Sequence, residues 1–415
     1  MTAAVFSIGT ELTRGELVNT NACWLAEQLT AVGFDVVEHE TVDDDQKRIV
    51  EALQRLSKSA KVVICTGGLG PTSDDLTTAA VADAMGVRLE RDEASLEAIK
   101  RRFASFNREM SPSNAKQADF PKGAQVLPNT QGTAPGFAVN MNEARCFFMP
   151  GVPGEMKTMF SDHVLPTIAK LATRNSYQVH IRTFGLTESR VGEKLADLEA
   201  EEPSVTIGYR AHFPEIEVKV LARGETASKA ETTARRIAET VRERLADAVY
   251  GGRDDSFAGS VGQLLRTRGL TLSLAESCTG GMIGSMLTDV PGSSDYVLFD
   301  AVTYSNGAKE AVLGVSGDTL RANGAVSIEV AAEMAEGALR VGASDIAVAV
   351  TGIAGPGGAT EDKPVGTVCF AVARKGSPTL THTRRLPGDR DRIRKLASYI
   401  ALHFVARVAV GKELE

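Results

Sequence analysis

Apolar and polar positions alternate along the first third of the chain in two distinct periods. "AAVFSIG" is a short apolar run closed by a glycine. "NTNACWLAEQLTAVG" places Trp24, Leu25 and Leu29 on one side at helical spacing and stops at Gly33. "FDVVEHETV" alternates as a strand does, "DQKRIVEALQRLSKS" is an amphipathic helix, and "AKVVICTGGLG" is a buried strand running into a glycine turn. This βαβαβ order predicts a parallel sheet covered on both faces. A further apolar run, loop and helix in "RCFFMPGVPGEMKTMF" continue it, and the segment is placed to end near Lys170.

The pattern then changes. "YQVHIRTFGL", "VTIGYRAH" and "EIEVKVLARG" read as strands, and "TESRVGEKLADLEA", with Thr187 as its cap, and "ETTARRIAETVRERLADAV" as helices. The β-α-β-β-α order predicts a small α+β module, closed by the linker-like "YGGRDDSFAG". From about Ser256 the α/β pattern returns: helices in "SVGQLLRTRG", "CTGGMIGSMLTDV", "IEVAAEMAEGALRVG" and "DRDRIRKLASYIALHFVARV", strands in "LTLSLAES", "DYVLFDAVTYS", "DIAVAVTGIAGPGG" and "GTVCFAVARK". Three domains are expected, at 1–170, 171–255 and 256–415, which suits 415 residues.

Charge narrows the function classes. The formal net charge of −7 speaks against a general nucleic-acid or membrane-surface binder, both of which need a basic face. The five scattered cysteines include no C-x-x-C pair, which speaks against a disulfide framework or zinc site and for a reducing compartment. No apolar run approaches the roughly 18 residues that a membrane helix requires. A cytoplasmic protein is expected.

Two strand-to-helix turns carry candidate chemistry. In "CTGGLGPTSDDLT" a strand runs into Gly67, Gly68 and Gly70, with a helix expected from near Thr72. Backbone N–H groups converging at such a turn suit a phosphate. The adjacent Asp74 and Asp75 would repel that phosphate unless a divalent cation lay between them; equally, two acids favour a first helical turn. Two further strand-end loops, "GTELTRGELVNTN" with Glu11 and "MPGVPGEM" with Gly151 and Gly154, would open at the same sheet edge, where ligands of α/β sheets bind. In "LSLAESCTGG", Ser277 falls at a strand end, with a helix expected from near Thr279. A serine nucleophile needs a base, and "TYSNGAKEAVLG" supplies Tyr304 and Lys309 after the next strand. Cys278, at a helix N-terminus, is the rival nucleophile. Ser277 is also read as a helix cap, with Cys278 as a small buried group.

The N-terminal stretches, together with "PNTQGTAPG", resemble the molybdopterin-binding-like domain of the CinA family. That resemblance implies ADP-ribose pyrophosphatase activity dependent on a divalent cation (Mg, Mn or Co) and assisted by K+. Gly67, Gly68, Gly70, Thr72, Gly151 and Gly154 would hold phosphate, and Asp74, Asp75 and Glu11 would serve the metal. "AESCTGG", "TYSNGAKEAVLGV" and "TGIAGPGG" resemble the family's C-terminal domain, the nicotinamide mononucleotide deamidases. There the resemblance assigns the nucleophile to Ser277, beside Lys309, Tyr304 and Thr351, with no metal. Glu276, Cys278, Thr279, Gly280, Gly281, Gly352 and Gly355 would line the substrate, Glu276 by orienting the loop or the amide NH₂, backbone N–H groups near Cys278–Gly281 would hold the oxyanion, and Arg390 or Arg392 would clamp the phosphate. The middle module resembles the family's KH-like domain. It has no G-x-x-G, and its 13 basic residues stand against 14 acidic ones between 171 and 254, so RNA is not an expected partner. A homodimer is the family expectation. The competing reading is a competence- or damage-associated binding protein with inactive sites, or a molybdopterin-binding first domain.

Overall fold

A computed structural model describes residues 1–414. It divides into two compact units, one of residues 1–178, 198–206 and 220–237, the other of 179–197, 207–219 and 238–414.

In the first unit, β1 (Thr2–Ile8), α1 (Thr20–Val32), β2 (Asp35–Val42), α2 (Gln46–Ser59) and β3 (Val62–Thr66) follow the predicted order. Asn19 caps α1 by accepting the Ala22 N–H, and Asp45 caps α2 through the Arg48 N–H. β3 is buried along its whole length, as a strand covered on both faces must be. After α3 (Thr77–Met85) come β4 (Gln125–Leu127), β5 (Gly136–Met141), β6 (Ala144–Met149) and α4 (Pro153–Met159). The sheet order is β2-β1-β3-β6-β5-β4. The first four strands are parallel, and β5 and β4 extend them antiparallel. Leu25 and Leu29 of α1 are fully buried against one face, and Leu53 and Leu56 of α2 belong to the cluster on the other. Each such side chain contributes about 1.5–3 kcal/mol.

The middle module comprises β7 (Asn175–Phe184), α5 (Glu188–Leu195), β8 (Val205–His212), β9 (Glu215–Gly224), α6 (Ala227–Leu245) and a short β10 (Val249–Gly251), with sheet order β8-β9-β7-β10. Thr187 caps α5 as expected. β10 lies inside the stretch read as a linker; its three residues are too few to carry a period.

The C-terminal region contains α7 (Phe257–Arg268), β11 (Leu272–Glu276), α8 (Met282–Thr288), β12 (Val297–Val302), α9 (Ile328–Gly342), β13 (Ile346–Gly352), β14 (Thr367–Arg374), β15 (Leu380–Arg385) and α10 (Arg390–Ala409). The sheet order is β12-β11-β13-β14-β15, parallel across the first three strands and antiparallel across the last two pairs. β15, "LTHTRR", went unread because polar residues hide its alternation.

Two helix starts differ from expectation. α3 begins at Thr77, not near Thr72, because Thr72 and Asp75 close a turn on each other: the Asp75 carboxylate accepts the Thr72 backbone N–H at 2.8 Å and also its hydroxyl. That is the local side-chain competition that keeps such residues out of helices. α8 begins at Met282, not near Thr279, because Gly280 and Gly281 have φ of 63° and 86°, outside the right-handed helical region.

Candidate active site

β11 delivers Glu276 and then Ser277 to the carboxyl edge of the C-terminal sheet. Glu276 is completely buried. Its carboxylate accepts the N–H groups of Gly281 (2.9 Å), Ile283 (3.2 Å) and Gly284 (2.8 Å), so it fills the N-terminus of α8. Both of its oxygens are spent in holding the 277–281 turn. Ser277 is anchored by its own N–H to the Val350 carbonyl of β13.

Lys309 lies in the helical turn after β12 and is 1% exposed. Its Nζ is 3.1 Å from Ser277 Oγ and 2.6 Å from the Thr303 carbonyl oxygen. No carboxylate joins this pair, so burial favours the neutral amine and lowers the lysine's pKa. Cys278 is packed in the hydrophobic core, and burial pushes its thiol up to about 12. A thiolate is therefore not the ground state near neutrality, and of the two rival nucleophiles only the serine has a base in hydrogen-bonding range.

The other expected residues divide. Tyr304 is 61% exposed and bonds neither Ser277 nor Lys309. Its hydroxyl instead accepts from Arg390 at 3.0 Å, and Arg390 also donates to the Gly355 carbonyl at 2.7 Å. Tyr304, Arg390 and Gly355 thus form one polar group. Thr351 is buried and donates its hydroxyl to the Ala325 carbonyl at 2.8 Å, which ties down the end of β13. A Cβ on Gly352 would stand 2.9 Å from the Thr367 carbonyl oxygen, so this position serves strand pairing. Of the backbone N–H groups of the 278–281 turn, that of Gly280 is spent on the Ser277 carbonyl and that of Gly281 on Glu276, which leaves Cys278 and Thr279. Arg392 is turned away, its guanidinium 4.4 Å from the Phe213 ring centroid. Arg394, which sequence reasoning missed, donates to the Thr279 carbonyl at 2.8 Å. Its spacing of four from Arg390 was the available signal, since such residues share a helix face. Buried Thr279 and Thr303 both have hydroxyls without a hydrogen-bond partner, and Thr303 was also missed.

In the first unit a cavity of about 620 Å³ opens beyond the carboxyl ends of β1, β3 and β6, beside the N-terminus of α1. β1 lies between β2 and β3, so the crevice occupies the switch point of the sheet. Gly67, Gly68, Gly70, Gly151, Glu11, Asp74 and Asp75 line it, as does Asn21, whose Oδ1 is buried without a partner. Gly67 has φ of 107°, and a Cβ there would stand 2.0 Å from the Ile8 carbonyl oxygen, so only glycine fits. Thr72 and Gly154 do not line the cavity, contrary to expectation: Thr72 is turned to Asp75, and Gly154 faces Gln131.

The carboxylates do not fit a preformed metal centre. Asp75 is bonded to Thr72, Asp44 to Thr10 and Glu155 to Asn129. Asp74 is exposed, with its pKa lowered first by hydrogen bonding from Thr72. Among the described residues no three His, Cys, Asp or Glu side chains converge to hold a metal ion. No helix among them is long and apolar enough to cross a membrane.

A glycine-turn cavity at the switch point of one α/β sheet and a buried serine–lysine pair at the edge of another define a multidomain α/β protein with two separate candidate centres. Three family models match the chain: a probable molybdopterin binding domain over residues 4–170, the KH domain of damage-inducible protein CinA over 178–251, and the CinA C-terminal domain over 254–409. A CinA-like protein of Geobacter sulfurreducens is 44% identical over 414 residues, covering 98% of this chain and 99% of the relative. One from Desulfosudis oleivorans is 42% identical over 410 residues, with 98% and 99% covered. A putative competence-damage inducible protein of Symbiobacterium thermophilum is 40% identical over 423 residues, covering 99% of each. The chain belongs to the CinA family.

Proposed function

We propose that the C-terminal domain hydrolyses the carboxamide of nicotinamide mononucleotide, giving nicotinate mononucleotide and ammonia. The observation that carries this reading is the 3.1 Å approach of a buried, carboxylate-free Lys309 to Ser277 Oγ. Neutral Lys309 Nζ takes the Ser277 proton as Oγ bonds to the amide carbon. The oxyanion that forms lies at the Cys278 and Thr279 N–H groups. The C–N bond then breaks, and the ammonium of Lys309 returns its proton to the departing nitrogen as ammonia. Water, giving its proton to the same amine, attacks the acyl ester and releases nicotinate mononucleotide and the free serine. The Tyr304–Arg390–Gly355 group takes the substrate phosphate, so Arg390 is the clamp rather than Arg392. Tyr304 acts in substrate binding, and no proton relay passes through it.

The test is ammonia release from nicotinamide mononucleotide by the full chain, with Ser277→Ala and Cys278→Ala beside it. Release by wild type and Cys278→Ala but not by Ser277→Ala is the expected result. Release by Ser277→Ala at the wild-type rate would overturn the assignment.

A second reading concerns the first domain: ADP-ribose bound at the switch-point crevice, with its pyrophosphate in the glycine turn, and cleaved there. Gly67 favours it, because its close approach to β1 leaves the turn open to a ligand backbone. AMP release from ADP-ribose, measured with and without added Mg²⁺, Mn²⁺ or Co²⁺ and in Asp74→Asn, tests it. Absence of product under every condition would sink it. The protein is read as a pyridine-nucleotide salvage enzyme rather than as a binding protein with decayed sites.

A further inference from the structure

Arg390 and Arg394 share the face of α10 that meets the serine turn. Arg392, two residues from each, lies roughly 200° round the same helix. It faces a separate cleft of about 760 Å³, lined also by Arg384 and Arg385 from β15. The walls are apolar: Phe213, Leu386, Leu396, Ile400 and Phe404. Every lining residue belongs to the second compact unit.

The charge in this cleft is unbalanced. Arg392 lies over the Phe213 ring, and Arg384 over the Phe404 ring at 5.7 Å with its Nε on His382. Among the described residues no carboxylate pairs with either of them or with Arg385, in contrast to Arg55, Arg91 and Arg244 elsewhere on this acidic chain. The one acid in the lining, Glu215, is 6% exposed. It is already met by Arg182 at 3.4 Å and by the hydroxyls of Tyr250 and Tyr399. His403 is held uncharged at neutral pH, its pKa lowered to about 4 by burial first and by Arg407 and Arg384 next. Arg385, the next residue along β15, projects from the opposite face of the sheet, so the guanidinium groups of Arg384 and Arg392 border a cavity that contains no free counter-charge.

Guanidinium groups recognise phosphate oxygens in a planar, two-pronged geometry, and they stack on flat rings. A cavity of this volume, apolar with a few convergent polar groups, has the dimensions of a small-molecule site. We propose that this cleft binds a nucleotide, its phosphate held by Arg384 and Arg392 and its base laid along the wall of Phe213, Leu396 and Ile400. A bare anion would use the arginines and leave the apolar wall wet; a purely apolar ligand would leave the guanidinium groups without their oxygens. The site is distinct from both the serine turn and the switch-point crevice, and it stands whether or not the amide hydrolysis proposed above is correct.

ADP is the probe. Photolabelling of the full chain with 8-azido-ADP, followed by peptide mapping, is expected to mark residues 207–219 or 384–404. Arg384→Gln combined with Arg392→Gln is expected to lose that label and to bind ADP there on the order of tenfold or more weakly. Its melting curve reports whether it folds, and Arg392→Gln alone, at an exposed position of α10, serves if the pair does not. Label confined to peptides of the glycine turn or the serine turn would overturn the proposal. So would wild-type affinity in the variant, or inorganic phosphate binding here as tightly as ADP.

Discussion

The serine turn and the glycine turn are built on the same plan and differ in how far the chain completes them. Each follows a parallel strand buried along its length, and each turns on two consecutive glycines with positive φ, Gly280 and Gly281 in one, Gly67 and Gly68 in the other. At the serine turn the protein supplies every charge-bearing partner: Glu276 holds the helix N-terminus, and Lys309 meets Ser277. At the glycine turn Asp75, Asp44 and Glu155 are tied locally, Asp74 is exposed, and Asn21 Oδ1 is left over. A buried ionisable pair can be assembled in advance because folding itself excludes water from it. An anion-binding crevice must stay open and polar, so its last partners arrive with the ligand.

The sharpest break in this comparison is Ser277→Ala. If the serine turn is complete in itself, ammonia release falls by about 10⁴-fold or more, while ADP-ribose cleavage at the other turn is unchanged; both are read on one preparation.

Next comes pH. Lys309 must be neutral to act, so kcat/KM for amide hydrolysis should rise with pH through a midpoint below the ordinary lysine value of 10.5. Because burial lowers this pKa, the unfolded chain binds more protons than the native one between the two values. Stability should therefore rise with pH across that window, and urea midpoints of Lys309→Met should lack that rise. An activity profile that is flat, or that falls through the same range, would remove Lys309 as base.

Gly67→Ala addresses the other turn. Its φ of 107° and the Ile8 oxygen 2.0 Å from the new Cβ should cost about 2 kcal/mol or more in denaturant unfolding. ADP-ribose cleavage should fall with it, while the folded fraction keeps full amide hydrolysis. The smallest effect on rate is expected for Cys278→Ala. Removing a buried thiol should destabilise by about 1 kcal/mol and leave ammonia release within about threefold of wild type, a difference of less than 1 kcal/mol in the barrier. A loss as deep as that of Ser277→Ala would restore the cysteine as nucleophile.

Much of this was legible in the residues. Hydrophobic period located β1 through β3 and their helices, and Gly33 marked the end of α1, because a left-handed residue stops a helix locally. Glycine at positions 67, 68, 280 and 281 marked both turns, since a left-handed conformation is a local demand. The resemblance of the motifs to a family named Ser277 and Lys309 together. Local sequence could not show which groups were already spent. Glu276, Thr351, Thr72 and Asp75 look like chemistry in one dimension, yet their oxygens are taken by Gly284, Ala325 and each other. Nor could it separate Arg390 from Arg392, whose directions depend on where α10 is docked. The depressed pKa of Lys309 also belongs to tertiary structure alone: thirty-two residues separate it from Ser277, and only packing brings the two together and excludes the water that would keep the amine charged.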